Sequence, residues 1–321
     1  MKIVILDGYA ENPGDLSWDF LKNYGEIEIY DRTPADKILE RASGAGIVVT
    51  NKTPLTKDTL SRLPDLKFVA LLSTGYNIAD CDYLAERHIP VSNIPSYSTE
   101  GVAQLVMAFI LEFAQGVGLH SDSVHSGEWS ACPDFCYTKK NIFELSGKTL
   151  GIFGFGRIGR AVAKRADAFG MNVIAYTPRM HGDEPDYVSF VDIDTLRAGA
   201  DFITFHCPLT TETDGIVDSG FIAGMKDGAY IINTSRGPVL NEKDVADALD
   251  SGKLAGVGVD VLSVEPPAPD NPMLHAKNCL ITPHIAWAAF ETRVRLMEIF
   301  KGNIEAFLSG KPRNVVNGSD F

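Results

Sequence analysis

Three polar residues that follow separate predicted strands offer a cation, a carboxylate and an imidazole, which together could bind an anionic substrate and transfer a proton. Arg236, Glu265 and His284 each come shortly after an apolar run typical of a buried strand. The carboxyl ends of parallel strands meet at one edge of a sheet, so these side chains are expected to converge. A guanidinium can hold carboxylate and carbonyl oxygens together, and an imidazole can donate a proton near neutral pH. Glu265 would accept a hydrogen bond from the second imidazole nitrogen, orient the ring and favour its protonated form.

Each of these residues also has an ordinary structural interpretation. Arg236 could be a loop cation, Glu265 a solvated acid beside prolines, and His284 a residue at a helix start after Pro283. Their shared position downstream of a glycine loop favours the catalytic interpretation.

The glycine loop predicts a dinucleotide site. The strand Leu150–Phe153 leads into a segment with the spacing G-x-G-x-x-G, followed by a helical pattern. In this context the first glycine permits a tight turn, the second lets a pyrophosphate approach the backbone, and the third lets helix and strand pack closely. The helix N-terminus offers amide hydrogens to the phosphates. The candidate residues are Gly154, Phe155, Gly156, Arg157, Ile158 and Gly159.

The end of the next strand bears on which nucleotide binds. NAD-preferring folds place an acid about 20 residues after the glycines, where it holds both ribose hydroxyls. Thr177 occupies that position here, and Arg179 follows it. A threonine removes the charge that would repel a 2′-phosphate, and the arginine could pair with that phosphate. These residues favour NADP(H). Alternatively, Arg179 is an exposed loop arginine, and NAD(H) binds less tightly.

Two series of alternating strands and helices are expected to carry these residues. The first series includes a buried strand at Lys2–Leu6. A long, largely buried helix is predicted after this series, at Val102–Leu119. The second series starts near Lys148 and ends in a long helix at Ala289–Ser309. Its predicted strands are Leu150–Phe153, Asn172–Tyr176, Phe202–His206, Tyr230–Asn233, Gly256–Val259 and Leu280–Ile281. The chain therefore predicts two α/β units, each with its own parallel sheet.

Composition narrows the function classes. The 321 residues are about twice a usual domain length, and the net charge of −13 argues against nucleic-acid or membrane-surface partners. No apolar stretch approaches the roughly 20 residues of a membrane helix. Five scattered cysteines predict neither disulfides nor a zinc site, and they fit a reduced cytoplasmic compartment.

Six segments of the chain resemble, in order and spacing, the D-isomer-specific 2-hydroxyacid dehydrogenase family. They are Gly154–Gly159, His206–Thr210, Asn233–Gly237, Gly258–Asp260, Glu265–Pro266 and Thr282–His284. The resemblance implies two doubly wound parallel-sheet domains, with a Rossmann NAD(P)-binding domain inserted in a flavodoxin-like substrate domain. The implied substrate domain comprises residues 1–98 and 290–321, and the dinucleotide domain comprises residues 99–289.

The resemblance also implies roles for individual residues. Arg236 would bind substrate, His284 would be the acid/base, Glu265 would support it, and Asp260 would hold the nicotinamide carboxamide. The loop of Ser73, Thr74, Gly75 and Tyr76 would hold the substrate carboxylate through its backbone amides. Further cofactor contacts are implied for Cys207, Pro208, Thr213, Thr234, Ser235 and Ala286. A homodimer is implied, joined through the long helix and an arm at Trp129–Phe143.

Finer segments resemble the glycerate dehydrogenase (hydroxypyruvate reductase) branch of the family. They are Ser73–Asn77, Asn93–Ser98, Pro133–Tyr137 and His284–Trp287. Trp287 could narrow a pocket around a three-carbon 2-keto or 2-hydroxy acid, or it could be helix packing. The alternatives are a dehydrogenase for D-lactate or another D-2-hydroxy acid, and a cofactor-sensing corepressor that binds partners without turnover.

Overall fold

A computed structural model of the protein describes residues 1–180 and 182–318. The chain divides into two compact units, Met1–Tyr97 with Ala288–Phe321 and Ser98–Trp287. Each unit contains one sheet in which every strand pairing is parallel. The predicted α/β fold with two parallel sheets is therefore confirmed.

The first unit is built on a five-stranded sheet. Its strands are β1 (Lys2–Ile5), β2 (Glu26–Ile29), β3 (Ile47–Thr50), β4 (Phe68–Leu71) and β5 (Val91–Ser92), in the order β2-β1-β3-β4-β5. Its α-helices are α1 (Ile38–Ala42), α2 (Lys57–Ser61), α3 (Cys81–Glu86) and the C-terminal α11 (Phe290–Leu308). This strand order is that of flavodoxin-like folds.

The inner strands β1, β3 and β4 of the first sheet are buried on both faces, which explains their nearly continuous apolar sequences, whereas the edge strand β2 is not buried. All four residues of β3 and of β4 are buried. Phe68 of β4 stacks on Phe307 of α11 with ring centroids 4.4 Å apart. The long terminal helix thus covers the sheet with its apolar face.

The second unit is built on a seven-stranded sheet. Its strands are β6 (Thr149–Phe153), β7 (Asn172–Tyr176), β8 (Val188–Phe190), β9 (Phe202–Phe205), β10 (Ala229–Asn233), β11 (Leu254–Val259) and β12 (Cys279–Ile281). Its helices are α4 (Thr99–Gln115), α5 (Val117–His125), α6 (Glu128–Ala131), α7 (Arg157–Ala168), α8 (Ile193–Gly199), α9 (Ser219–Ala223) and α10 (Glu242–Ser251). The order β12-β11-β10-β9-β6-β7-β8 is a doubly wound arrangement.

Apolar clusters cover both faces of the second sheet. Phe202 belongs to one cluster, and Ile203 and Phe205 belong to the other, because successive side chains of a strand point to opposite faces. Helix α4 contributes seven of its buried residues to the first cluster. Burial on both faces fixes the sheet as a rigid support for the loops at its carboxyl edge.

The helix predicted at Val102–Leu119 is wrong in one respect. Gly116 adopts a left-handed conformation with φ 58°, so α4 ends there and α5 departs at an angle of 56°. Strand β8 and helices α6 and α9 were not predicted, because segments of three to five residues carry little periodic signal. Among the described residues, no single helix is long and apolar enough to cross a membrane. Only the bent pair α4–α5 together reaches that length and composition.

Candidate active site

The carboxyl ends of β10, β11 and β12 lie side by side at one edge of the second sheet. Arg236 follows β10, Glu265 lies beyond β11 and His284 follows β12. The register pairs Asn233 with Val259, so the loops after β10 and β11 start level with each other. The three sequence-predicted residues therefore all lie on loops that begin at the same edge.

His284 and Glu265 form a direct pair. The ring nitrogen Nδ1 of His284 lies 2.6 Å from Oε2 of Glu265, and Oε1 of the same carboxylate accepts the N–H of Leu262 at 3.1 Å. Both side chains are about one-third exposed. The carboxylate thus orients the imidazole through Nδ1, which leaves Nε2 as the ring atom available for proton transfer.

Asp260 organises the turn that carries His284. Its buried carboxylate accepts the hydroxyl of Thr282 at 2.5 Å and the backbone N–H groups of Ile285 and Ala286 at 2.8 Å each. These bonds flank His284, whose φ of 55° is unusual for a residue with a side chain. Burial raises the pKa of Asp260. The residue spacing gives no indication of these hydrogen bonds to Asp260, and they were not predicted from the sequence.

The loop that carries Arg236 is pinned on both sides. Oδ1 of Asn233 accepts the N–H of Ser235 at 3.0 Å and its hydroxyl at 2.8 Å, while Nδ2 donates to the Arg236 carbonyl at 2.8 Å. A Cβ on Gly237 would lie 1.9 Å from the carbonyl carbon of Leu262. The loops after β10 and β11 therefore touch backbone to backbone, and the exposed Arg236 guanidinium projects beside that contact.

The three glycines of the loop after β6 meet different surroundings. Gly154 has φ 98°, and a Cβ there would lie 2.8 Å from the His206 backbone. A Cβ on Gly159 would lie 2.3 Å from the Gly154 carbonyl oxygen, whereas one on Gly156 would meet no atom within 4 Å. Helix α7 begins directly after Gly156 and has no side-chain cap, so no capping side chain satisfies its first N–H groups. This is the shape that an approaching pyrophosphate requires.

The glycine geometry predicts a clean separation of binding from stability. Gly156→Ala should weaken nicotinamide-cofactor binding about tenfold or more, measured by fluorescence titration, with an unchanged melting temperature. Gly159→Ala is the matched variant, and it should lower stability by about 1–3 kcal/mol because its Cβ overlaps a backbone oxygen. Loss of stability in the Gly156 variant, or cofactor affinity equal to that of the wild type, would contradict this assignment.

The end of β7 holds the residues expected at the ribose. The hydroxyl of Thr177 donates to the carbonyl of Arg179 at 3.2 Å. Arg160 of α7 pairs with Asp183 at 2.7 Å. In the described part of the chain, no acidic side chain forms an ion pair with the exposed Arg179. The Arg179 guanidinium is therefore the cation of this segment that could pair with a ribose 2′-phosphate.

The loop after β9 is shaped by internal hydrogen bonds. The hydroxyl of Thr213 donates to the Pro208 carbonyl at 2.7 Å and accepts the N–H of Thr210 at 2.8 Å. Burial raises the pKa of the Cys207 thiol to about 11 and lowers that of His206 to about 3. Cys207 and His206, at the start of this loop, are therefore uncharged at neutral pH.

Two features after β10 and β12 fit a bound cofactor. The hydroxyl of Thr234 is buried and has no hydrogen-bond partner among the described residues. Ala286 is buried, and Trp287 beside it is partly exposed. An unsatisfied buried hydroxyl next to Arg236 marks a position where a bound polar group would complete the bonding.

The predicted carboxylate loop belongs to the first unit. Ser73 donates through its hydroxyl to the Gly75 carbonyl at 2.7 Å, and Thr74 donates in the same way to the Ile94 carbonyl at 2.8 Å. Tyr76 is 47% exposed. The loop follows β4 at the carboxyl edge of its own sheet, where ligands of such folds bind.

A comparison with protein families identifies the second unit. Residues 107–286 match the NAD-binding domain of D-isomer-specific 2-hydroxyacid dehydrogenases. The chain belongs to this dehydrogenase family. It is therefore an oxidoreductase that acts on the CH–OH group of D-2-hydroxy acids with a nicotinamide dinucleotide.

Several relatives of this dehydrogenase cover nearly its whole length. It is 49% identical to a hydroxypyruvate reductase of Blautia hydrogenotrophica over 99% of this chain and 100% of the relative. It is 36% identical to a glycerate dehydrogenase of Methylorubrum extorquens over 98% of each chain. Among solved structures it resembles an acyclic imino acid reductase (Bsp5) in complex with NADPH and D-Arg, with a TM-score of 0.85 and 30% identity over 98% and 100% of the chains.

Proposed function

We propose that this dehydrogenase reduces hydroxypyruvate, and also glyoxylate, to D-glycerate and glycolate. The observation that carries the chemistry is the 2.6 Å contact between His284 Nδ1 and Glu265 Oε2, on the same sheet edge as Arg236. The substrate is supported by the 49% identity to a hydroxypyruvate reductase.

The cofactor would lie along the carboxyl edge of the second sheet. A bound nicotinamide supplies the hydride. The open space at Gly156 and the uncapped start of α7 would receive the pyrophosphate, and the Thr234 hydroxyl would gain a partner. The full proposed set is Gly154, Phe155, Gly156, Arg157, Ile158, Gly159, Thr177, Arg179, Cys207, Pro208, Thr213, Thr234, Ser235, Asp260 and Ala286.

The chain's own residues would bind the substrate and move the proton. Arg236 would hold the carboxylate and carbonyl oxygens of the keto acid, polarising the carbonyl. Nε2 of His284 would donate its proton to that oxygen as the alcohol forms. Glu265 would keep the ring aligned and stabilise the imidazolium before transfer. In the oxidative direction the same nitrogen accepts the proton.

We assign substrate binding to the unit of residues 1–98 and 290–321, and dinucleotide binding to residues 99–289. The sheet order of the first unit and the loop at Ser73, Thr74, Gly75 and Tyr76 support this division. The backbone amides of that loop would hold the substrate carboxylate, and Trp287 would narrow the pocket for a three-carbon substrate.

We further propose that NADP(H) is preferred. Thr177→Asp should lower the ratio of kcat/KM for NADPH to that for NADH about tenfold to a hundredfold, because a carboxylate holds the ribose diol and repels a 2′-phosphate. Thr177→Ser is the matched control and should leave the ratio unchanged. Arg179→Ala should impair NADPH more than NADH. If the ratio is the same in all three variants, the preference is set elsewhere.

We also propose a cytoplasmic homodimer without nucleic-acid or membrane partners. Several large apolar side chains of α5 and the arm are exposed, which is typical of an association surface. They are Val117 at 66%, Leu119 at 45%, Trp129 at 52%, Phe135 at 88% and Ile142 at 46%. Sedimentation at low micromolar concentration should give twice the mass of 34.9 kDa.

The decisive experiment compares initial rates with hydroxypyruvate, glyoxylate and pyruvate, each with NADPH and NADH. We expect hydroxypyruvate to have the highest kcat/KM, by about tenfold over pyruvate, which corresponds to the modest discrimination available from one small group. Preference for pyruvate would instead indicate a D-lactate dehydrogenase. Cofactor binding without turnover of any keto acid would favour the non-catalytic, partner-binding alternative.

A further inference from the structure

Two neighbouring carboxyl groups at the carboxyl edge of the first sheet have opposite surroundings. Asp7 follows β1, and Glu11 lies in the loop beyond it. Five donors serve the Asp7 carboxylate within 3.0 Å, namely the N–H groups of Asn51, Lys52 and Thr53 and the hydroxyls of Thr50 and Thr53. Its oxygens therefore act only as acceptors.

The carboxyl group of Glu11, in contrast, receives almost no hydrogen bonds. Its side chain is fully buried, and only Nδ2 of Asn51 donates to Oε1. Oε2 of Glu11 and Oδ1 of Asn51 are both buried without a partner among the described residues. A buried, ionised carboxylate with a single hydrogen-bond donor is energetically costly. The two unpartnered acceptor oxygens also belong to side chains that are already hydrogen-bonded to each other, which needs an explanation.

We propose that Glu11 is a neutral carboxylic acid and closes a reciprocal pair with Asn51. The Oε2 hydroxyl donates to Oδ1, while Nδ2 donates to Oε1, so both unpartnered atoms are satisfied by one proton. The proton comes from solvent during folding and stays on the acid. Burial and the charge of Asp7 raise the pKa of Glu11 to about 8, which agrees with this protonation state.

The charged groups around the pair favour the neutral acid only up to mildly alkaline pH. Asp7 opposes ionisation, and Lys52 favours it. Arg293 of α11 donates to the Glu11 carbonyl at 3.1 Å, but its guanidinium is engaged by Asp15 at 2.7 and 2.6 Å. Loss of the proton would place a second negative charge beside Asp7. It would also leave two acceptor oxygens facing each other, Oδ1 of Asn51 and Oε2 of Glu11, with no proton between them.

The pair has a position that bears on substrate binding, and this step rests on the proposed function. Asn51 follows β3, and β3 pairs with β4, which leads into the Ser73–Tyr76 loop. The N–H of Leu72 donates to the Thr50 carbonyl at 2.9 Å, so the segments that continue to Asn51 and to Ser73 leave neighbouring strands side by side. We therefore make Glu11 and Asn51 positioning residues for substrate, and ionisation of Glu11 should raise KM above about pH 8 with little change in kcat.

The linkage to stability has a definite sign. The pKa of Glu11 is about 8 in the folded chain against an ordinary value of 4.5. Between those values the folded chain keeps the proton and the unfolded chain releases it, so stability falls as pH rises and becomes level above about pH 8. Unfolding near pH 6 should release about one proton from Glu11, and unfolding near pH 9.5 should release almost none.

Glu11→Gln is the test variant, because an amide–amide pair reproduces both hydrogen bonds without a titrating group. Glu26→Gln removes an exposed carboxylate of β2 and serves as the matched control. We expect the wild type and the control to release about one more proton on unfolding than Glu11→Gln near pH 6, and equal numbers near pH 9.5. The infrared band of a protonated carboxylic acid should be present near pH 6 and absent in Glu11→Gln.

Equal proton release in wild type and Glu11→Gln, or no carboxylic-acid band that the substitution removes, would overturn the neutral acid. The infrared band needs only folded protein, so it also serves if unfolding is irreversible. If the acid is present but KM is equally flat with pH in both proteins, the positioning role is wrong. Proton release and the infrared band do not need turnover, whereas KM does. Absence of keto-acid reduction would therefore overturn the proposed function, while the first two measurements would still decide whether the acid–amide pair exists.

Discussion

Replacement of His284 by alanine should lower kcat for keto-acid reduction about 10²- to 10⁴-fold, the usual contribution of a positioned acid/base group. The ring is oriented by Glu265 at 2.6 Å, and the turn around it is fixed by three hydrogen bonds to Asp260. Alanine removes the proton donor and leaves these three hydrogen bonds to Asp260 in place. Cofactor affinity, measured by fluorescence titration, should therefore change little.

The control for this prediction is His275→Gln. His275 is an exposed histidine of the same unit, and its Nε2 lies 2.9 Å from the Pro269 carbonyl oxygen. It should retain wild-type rates. A His284 variant that retains more than about a tenth of wild-type kcat would show that another group delivers the proton.

Arg236→Ala should lower kcat/KM about 10²- to 10⁴-fold, a loss of roughly 3–5 kcal/mol, because the substrate carboxylate would lose its bidentate, charge-assisted partner. Arg236→Lys should recover only part of that loss, since an ammonium keeps the charge without the planar fork. Steady-state kinetics over a wide range of keto-acid concentrations would separate the two variants.

The matched control is Arg62→Ala, which removes an exposed arginine at the end of α2 in the first unit. It should leave kcat/KM unchanged. Equal kinetics for Arg236→Lys and the wild type would mean that only the charge matters, and retained activity in Arg236→Ala would remove this residue from the substrate site. Neither Arg236 substitution should affect stability, because the Arg236 side chain is exposed and donates to the carbonyl of the adjacent Ser235.

The fold class could be predicted from the sequence, because alternating apolar strands and helical patterns are local signals. So could the glycine loop, whose spacing reflects close approaches of backbone that the structure contains at Gly154 and Gly159. Placement of Arg236, Glu265 and His284 on one sheet edge followed from the rule that parallel strands present their carboxyl ends together. Short elements such as β8, and the break at Gly116, were missed because each depends on a few residues only.

The contacts between individual polar atoms become apparent in the folded chain alone. Asp260 bonds to residues 22 to 26 positions away, and Glu11 bonds to Asn51 across 40 positions. Such contacts depend on the path of each loop beyond its strand, and periodicity carries no information about that path. The sequence therefore determined which residues could do chemistry, and the fold decided which of them are ionised, oriented or held neutral, because burial and hydrogen-bond partners set those states.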